Sequence, residues 1–534
     1  MKKKILMPLL IIIVLAGSIE SCKKNLIEKP FSSLAPITIF TNETGLKQAT
    51  LGVYQSWTST FFTLNNRYGN IFDVLYRFTL SETGHQYATA GVYGTSFMDP
   101  YTSFAETPQT TAGAVVWQRL YFTISAANAV IANAGKAVSA DKADVYIAEA
   151  KVNRANAYFF LVRSFGDVPL IKNEISSLSQ SEEIFAPRSP ALDVYNFIVE
   201  DLKFAEQKLP NSWTSSDAGR VTAGSAKSLL GKVYLTMAGK PLSKPENVQL
   251  AIDKLKEVVK AEATYNYGLL DDFTAIFSTS NKHSKEIVLS FGHFYSSSHI
   301  DDNLNPFFVG LDGIDPSGGQ CSFGMTYKFY KLFENNDKRR DFTAVERYKY
   351  LAGTYNGDSL IYDPATFHYI NKRTGLPSFN TNIKYGVGFG KYSRDARPAG
   401  SLPWSYSDDL IELRYADVLL IYAEALNEAG LTNEALIPLN RVRVRAGTTA
   451  YTAISQDDLR QKIRQERRLE LIGEGTTVFD IRRWGTLQTE IAAMIPDQII
   501  NGALPPYSAK LELYPIPQVE IDANAKLTQN PGWQ

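Results

Sequence analysis

The chain has 534 residues, with 55 basic and 55 acidic side chains and a formal net charge of zero. That balance excludes a general nucleic-acid binder, which needs a basic excess, while the length is ample for a sizeable core. Two cysteines, Cys22 and Cys321, exclude a disulfide framework once the first is chemically committed.

Reading from the N-terminus, Lys2, Lys3 and Lys4 precede an apolar run of 13 residues, Ile5 to Gly17. A membrane-spanning helix needs about 20 apolar residues, so this run has signal-peptide length instead. Ser21 and Cys22 follow at the cleavage position, and the segment is similar to bacterial lipoprotein signals in which the cysteine thiol receives lipid. We therefore expect a signal peptide over 1–21, lipidation at Cys22 and one domain over 22–534. At about 0.8 kcal/mol per buried CH₂, two or three acyl chains make a stable outer-membrane anchor.

Apolar residues at helical spacing predict helices over Thr44–Trp57, Val115–Ala134, Lys142–Phe165, Ala191–Leu209, Thr222–Ala238 and Asn247–Ala261. The C-terminal third continues with Ile411–Glu428, Asn433–Arg445 and Gln456–Ile472, closed by Gly430, Gly447 and Gly473. The expected fold is mainly α, with tetratricopeptide-like helical pairs forming a scaffold over about 41–60, 114–270 and 410–490. Two regions, 61–113 and 271–405, lack helical period and are rich in Gly, Ser, Thr, Asn and aromatic residues, with short strands expected near Glu286–Ser290 and Lys384–Tyr392. Residues 54–104 hold 13 aromatics in 51 positions, about twice the chain's 12%, and that richness argues against disorder.

Long irregular insertions on a helical scaffold are usually functional. A sugar ring presents polar edges and an apolar face, so it suits Tyr and Trp rings with amide and carboxylate groups at the rim. Tyr87, Tyr93, Phe97, Tyr101, Tyr295 and Trp404 are the candidate ligand contacts on the two irregular regions. Trp117, Tyr121, Tyr158, Tyr234, Tyr415, Tyr422 and Trp484, on helical segments, are assigned to packing. No catalytic residue, metal site or cofactor is expected. None of the five histidines stands in an HExxH arrangement, there is no P-loop or GxSxG elbow, and Gly386–Gly390 reads as a strand edge rather than a phosphate cradle. The adjacent acids Asp301-Asp302 and Asp408-Asp409 do not by themselves define the carboxylate separation that a glycosidase needs.

The C-terminal third then presents Arg414-Tyr415-Ala416-Asp417 through Glu428, Asn440 to Gly447, Glu466-Arg467-Arg468-Leu469-Glu470, Asp480-Ile481-Arg482-Arg483-Trp484-Gly485, Tyr514-Pro515-Ile516-Pro517 and Asn530-Pro531-Gly532-Trp533. With Phe165-Gly166-Asp167-Val168-Pro169 and Ala226–Ala238, this ordered series resembles the SusD/RagB family over nearly the whole chain after Cys22. Thr476-Thr477 and Lys23-Lys24 depart from that family's usual pattern. The resemblance implies a SusD-like fold with four helical pairs and a loop-rich, ligand-binding half. It further implies a non-catalytic, surface-exposed lipoprotein that delivers oligosaccharide to a SusC-like TonB-dependent transporter. A peptide ligand and a surface glycoside hydrolase are the alternatives. The charged residues of the signature, Glu424, Glu428, Arg441, Arg445, Glu466, Arg467 and Glu470, are expected to lock helices together through Arg–carboxylate pairs.

Overall fold

The computed structural model describes residues 39–57, 88–90, 106–177, 179–292, 323–325, 327–350, 353–366, 368–377, 387–391, 409–494 and 506–534. Its main helices are α1 (Glu43–Gln55), α2 (Thr111–Ala137), α3 (Ala140–Phe165), α4 (Ala191–Lys208), α5 (Ala223–Ala238), α6 (Asn247–Lys260), α7 (Tyr415–Glu428), α8 (Thr432–Arg445), α9 (Gln456–Leu471) and α10 (Thr477–Trp484). The series from α2 to α8 packs each helix on the next, with α9 returning onto α7 and α1 lying across α2 and α3. This is the stacked-hairpin scaffold expected from the periodicity.

Local chemistry sets the helix ends. The Asn42 side chain accepts a hydrogen bond from the Gly45 amide, and Thr222 and Ser225 form a reciprocal capping box at the start of α5. Gly430, Gly447 and Gly473 carry φ of 78°, 79° and 80°, the left-handed conformation that lets the chain leave a helix without a Cβ penalty. Inside the stack, small residues allow close approach. A Cβ placed on Gly231 of α5 would lie 2.6 Å from the Leu255 side chain of α6.

One large core unites these layers. Ala148, Ala155, Tyr158, Phe159 and Phe160 of α3 meet Ile198 and Leu202 of α4, and beyond them come Leu229 and Val233 of α5. A smaller cluster under α1 joins Phe40, Leu46 and Val53 to Ala127, Val130 and Tyr146.

Nine strands matter here: β1 (Ala88–Ala90), β2 (Ile287–Phe291), β3 (Phe323–Met325), β4 (Ala344–Val345), β5 (Arg347–Lys349), β6 (Ser359–Asp363), β7 (His368–Asn371), β8 (Val387–Phe389) and β9 (Leu410–Arg414). They form a sheet ordered β1-β3-β8-β4, a meander β5-β6-β7 and a pair β9-β2. Two expectations are corrected. Ile411 to Arg414, expected within a helix, is strand β9, because it pairs antiparallel with β2 and the helix begins only at Tyr415. Gly388, expected at a strand edge, is internal to its sheet, since β8 pairs with both β3 and β4. Thr476 and Thr477 are buried at the start of α10.

Candidate functional site

The two irregular regions, separate in sequence, are joined in space. Ala88–Ala90 pairs with Phe323–Met325 in register Ala88↔Met325, Thr89↔Gly324 and Ala90↔Phe323. A strand of region 61–113 thus becomes the outer strand of a sheet whose other three strands come from region 271–405. Tyr87 immediately precedes β1 and Tyr93 follows three residues after it. Tyr87, Tyr93, Phe97, Tyr101, Tyr295 and Trp404, like Cys22, lie outside the described residues.

The described residues on either side of these segments are held by specific contacts. Trp57, the last described residue before 58–87, is fully buried, donates from Nε1 to Asn153 Oδ1 at 3.0 Å and stacks on Phe291 with ring centroids 4.4 Å apart. Phe291 ends β2 two residues before the stretch 293–322 begins, and it faces Leu410 of β9 in the ladder. Asp409, where the chain re-emerges after 392–408, pairs with Lys282 at 2.8 Å. At the other end of 392–408, Lys391 is buried and donates from Nζ to the carbonyls of Glu470 at 2.6 Å and Ile472 at 2.9 Å. It also pairs with Glu474. Burial pushes the Lys391 ammonium down to about 8, against the pull of Glu474. Trp404 lies in sequence between these two buried charges.

Lys391 belongs to a buried network that welds the irregular half to the scaffold. Arg414 of β9 holds Glu474 through Nε at 2.6 Å and Nη2 at 2.9 Å, and reaches Glu470 and Glu286 through Nη1. Arg339 clasps Asp337 and reaches Glu466 and Glu470, both at 2.7 Å. Arg445 pairs with Glu286 and Glu470, and Arg443 with Glu466 and Glu334. Burial would raise the Glu470 carboxyl, but Arg445, Arg414 and Arg339 outweigh it and hold it well below the ordinary range. Burial wins at Glu286, whose carboxyl is raised despite Arg445 and Arg414.

A second network ties α5, α7, α9 and α10 together. Asp417 accepts from Lys232 at 3.0 Å and from Arg467 at 2.7 Å, while Glu424 takes Arg483 and the Trp484 indole. Burial opposes ionisation of Asp417, and Lys232 and Arg467 overcome it. The signature charges thus lock helices as expected, with Glu428 bound by Arg460 and Arg441 by Glu262. Several partners, among them Arg339, Glu286 and Lys391, lie outside the signature and carried no sequence signal. Among the described residues, no group of three or more His, Cys, Asp or Glu is arranged to hold a metal.

Trp117, Tyr158, Tyr234 and Tyr415 are buried, and Tyr121 and Tyr422 are partly buried against the core, as packing residues should be. Trp117 and Tyr121 also line an open groove that the sequence did not suggest.

Fold and site together define a stacked-hairpin scaffold to which a set of short strands is joined. The SusD family model matches residues 312–533, and a SusD-like model described as "Starch-binding associating with outer membrane" matches residues 82–235. SusD-like protein P2 of Formosa agariphila is 28% identical over 541 residues, covering 98% of each chain. A SusD-like protein of Bacteroides ovatus is 29% identical over 72% of this chain and 66% of its own. A SusD homologue from Bacteroides thetaiotaomicron superposes with TM-score 0.74 at 23% identity, covering 94% of this chain and 99% of that one. A structure described as a laminarin-binding SusD-like protein gives TM-score 0.70 at 24% identity, covering 92% and 100%. The chain belongs to the SusD/RagB family.

Proposed function

We propose that this protein binds an oligosaccharide on the surface shared by regions 61–113 and 271–405 and delivers it, uncut, to a SusC-like TonB-dependent transporter. Lipid on Cys22 holds it to the outer membrane, exposed at the cell surface. The observation that carries the reading is the β1–β3 pairing, which brings the two aromatic-rich regions onto one sheet. A fixed scaffold beneath a binding surface reduces the freedom lost on binding, which favours affinity. The descriptions of similar proteins point the same way: starch binding for one family model, laminarin binding for one solved structure and surface glycan binding for another, from Bacteroides uniformis. The buried acids Glu470, Glu286, Asp417 and Glu424 are engaged with Arg or Lys in networks, which suits a structural role for them better than general acid–base work.

Affinity electrophoresis through gels containing starch or laminarin tests this, together with calorimetry on the matching oligosaccharide. Retardation by at least one glycan is expected, with no release of reducing ends. Replacing Tyr87, Tyr93, Tyr295 and Trp404 together by Ala should cost at least a hundredfold in affinity, since each stacked ring contributes on the order of 1 kcal/mol. Undiminished retardation of that variant overturns the site, and co-purified peptides in place of glycan overturn the ligand class.

A further inference from the structure

A groove of about 400 Å³ opens on the helical scaffold between the Trp117–Asn128 face of α2, the loop 169–175, the short helix Ser181–Ile184 and the C-terminal helix Gln518–Ala523. Its volume falls within the range of small-ligand clefts. It is built from elements other than the β1–β3 sheet, and Trp117 and Tyr121 give it an aromatic wall. Phe185 stands at its rim with 43% of its surface exposed, a costly place for an unpartnered ring.

Besides Gln118, Ser125 and Asn173, which also line it, the polar groups in the groove divide into two kinds. The first are spent on its own walls. Tyr121 donates its hydroxyl to the Pro169 carbonyl at 2.7 Å, and Asn128 donates to the carbonyls of Ile171 and Asn173 while its oxygen accepts from Arg154. The Asn524 amide donates to Ala186 and accepts from the Lys526 backbone. These groups cannot read the hydroxyls of a sugar without breaking the bonds that shape the groove.

The second kind are carboxylates. Glu183 projects from one wall and Glu520 from another, and no Lys, Arg or His lines the groove. Glu520 accepts a hydrogen bond from Gln118 at 2.6 Å, yet burial still raises its carboxyl above the ordinary value. What remains beside the Ser125 and Asn173 side chains is an apolar floor with a carboxylate on two separate sides, Glu183 and the partly engaged Glu520. One ammonium would serve one carboxylate; an apolar side chain flanked by two cations would serve both.

We propose that this groove is a second binding site, taking a peptide segment of a partner protein in which an aromatic or branched aliphatic residue lies beside Lys or Arg. Charge complementarity identifies the occupant. Calorimetry at low salt with the full chain in nonionic detergent tests it, using acetyl-Lys-Phe-Leu-Lys-amide as the probe. The same peptide with Ser or Glu in place of Lys, and benzylamine, serve as comparisons.

Saturable one-to-one binding of the Lys peptide is expected, weakened at least tenfold with Ser and abolished with Glu. The double variant Glu183→Gln, Glu520→Gln should lose at least tenfold, and its shape-conserving amides leave an oxygen for Gln118. Phe185→Ala, at an exposed rim position, should weaken binding independently without unfolding the chain. Glycan retardation by both variants should match the parent, so this site and the loop surface can fail separately. No heat with the Lys peptide up to 1 mM, equal binding of the Glu peptide, or unchanged affinity in the double variant would overturn the proposal. Benzylamine binding as tightly as the peptide would reassign the groove to a small amine and overturn the peptide partner.

Discussion

Replacing Glu470 by Gln removes one negative charge from the centre of the network that joins the irregular half to the scaffold. Glu470 is fully buried and accepts from Arg339 at 2.7 Å, from Arg414 and from Arg445. The amide preserves shape but turns an NH₂ toward guanidinium donors. Removing one partner of a buried ion pair costs about 3–5 kcal/mol. Asp337, Glu466, Glu474 and Glu286 still compensate the three arginines, so the lower end, about 3 kcal/mol, is expected. In a chain this large the unfolding entropy makes that a shift of only about 3 °C, so urea unfolding followed by tryptophan fluorescence is the better assay. The pH dependence carries a sign. Glu470 has a depressed pKa in the folded state, so its contribution is complete above about pH 4.3, the unfolded value, and is lost as pH falls through the lower folded value. The gap between parent and variant should be constant from about pH 5 to 7 and should close on further acidification. An exposed control, Glu182→Gln, should stay within about 0.5 kcal/mol. A Glu470→Gln variant as stable as the parent at pH 7, or a gap that widens in acid, would falsify this account of the junction.

Glu106 carries the opposite sign. Burial pushes its carboxyl up to about 7, so its ionisation destabilises the fold as pH rises from 4.5 through 7. Glu106→Gln should therefore stabilise the chain at pH 8 by at most about 3 kcal/mol, with the gain gone near pH 4.5 in melts across that range. Gly231→Val should destabilise by roughly 1–3 kcal/mol in the same urea assay, because even the first carbon of the new side chain meets Leu255 at 2.6 Å; Leu255→Ala in the same chain should recover part of that loss, and a variant as stable as the parent would show that α5 and α6 can part freely.

The helices were legible because their determinants are local. Gly430, Gly447 and Gly473 close α7, α8 and α9 where a left-handed residue was expected, and the apolar spacing on α3 and α5 placed their buried faces. Leu410 to Arg414 was not legible, since its apolar residues fit a helical period as well as a strand, and its partner β2 lies more than 100 residues away. The same holds for the junction network. Glu466 and Glu470 announced themselves as structural charges, but nothing in the sequence near Arg339, Lys391 or Glu286 marked them as partners. Trp117 and Tyr121 were correctly read as packing residues, yet one edge of each can pack while another lines a groove. That depends on where the loop 169–175 and the C-terminal helix come to rest.

The paired anchors at Trp57 and Phe291, and at Lys391 and Asp409, have a consequence for how such a surface can diversify. Trp57 and Phe291 each fix where a stretch leaves the helical body, and Lys391 and Asp409 fix both ends of 392–408, so that last stretch can change length or composition while its terminal coordinates stay put. Lengthening a closed loop costs little, about 0.6 kcal/mol for each doubling. New specificities can then be grafted between Lys391 and Asp409, much as interchangeable tool bits fit one chuck.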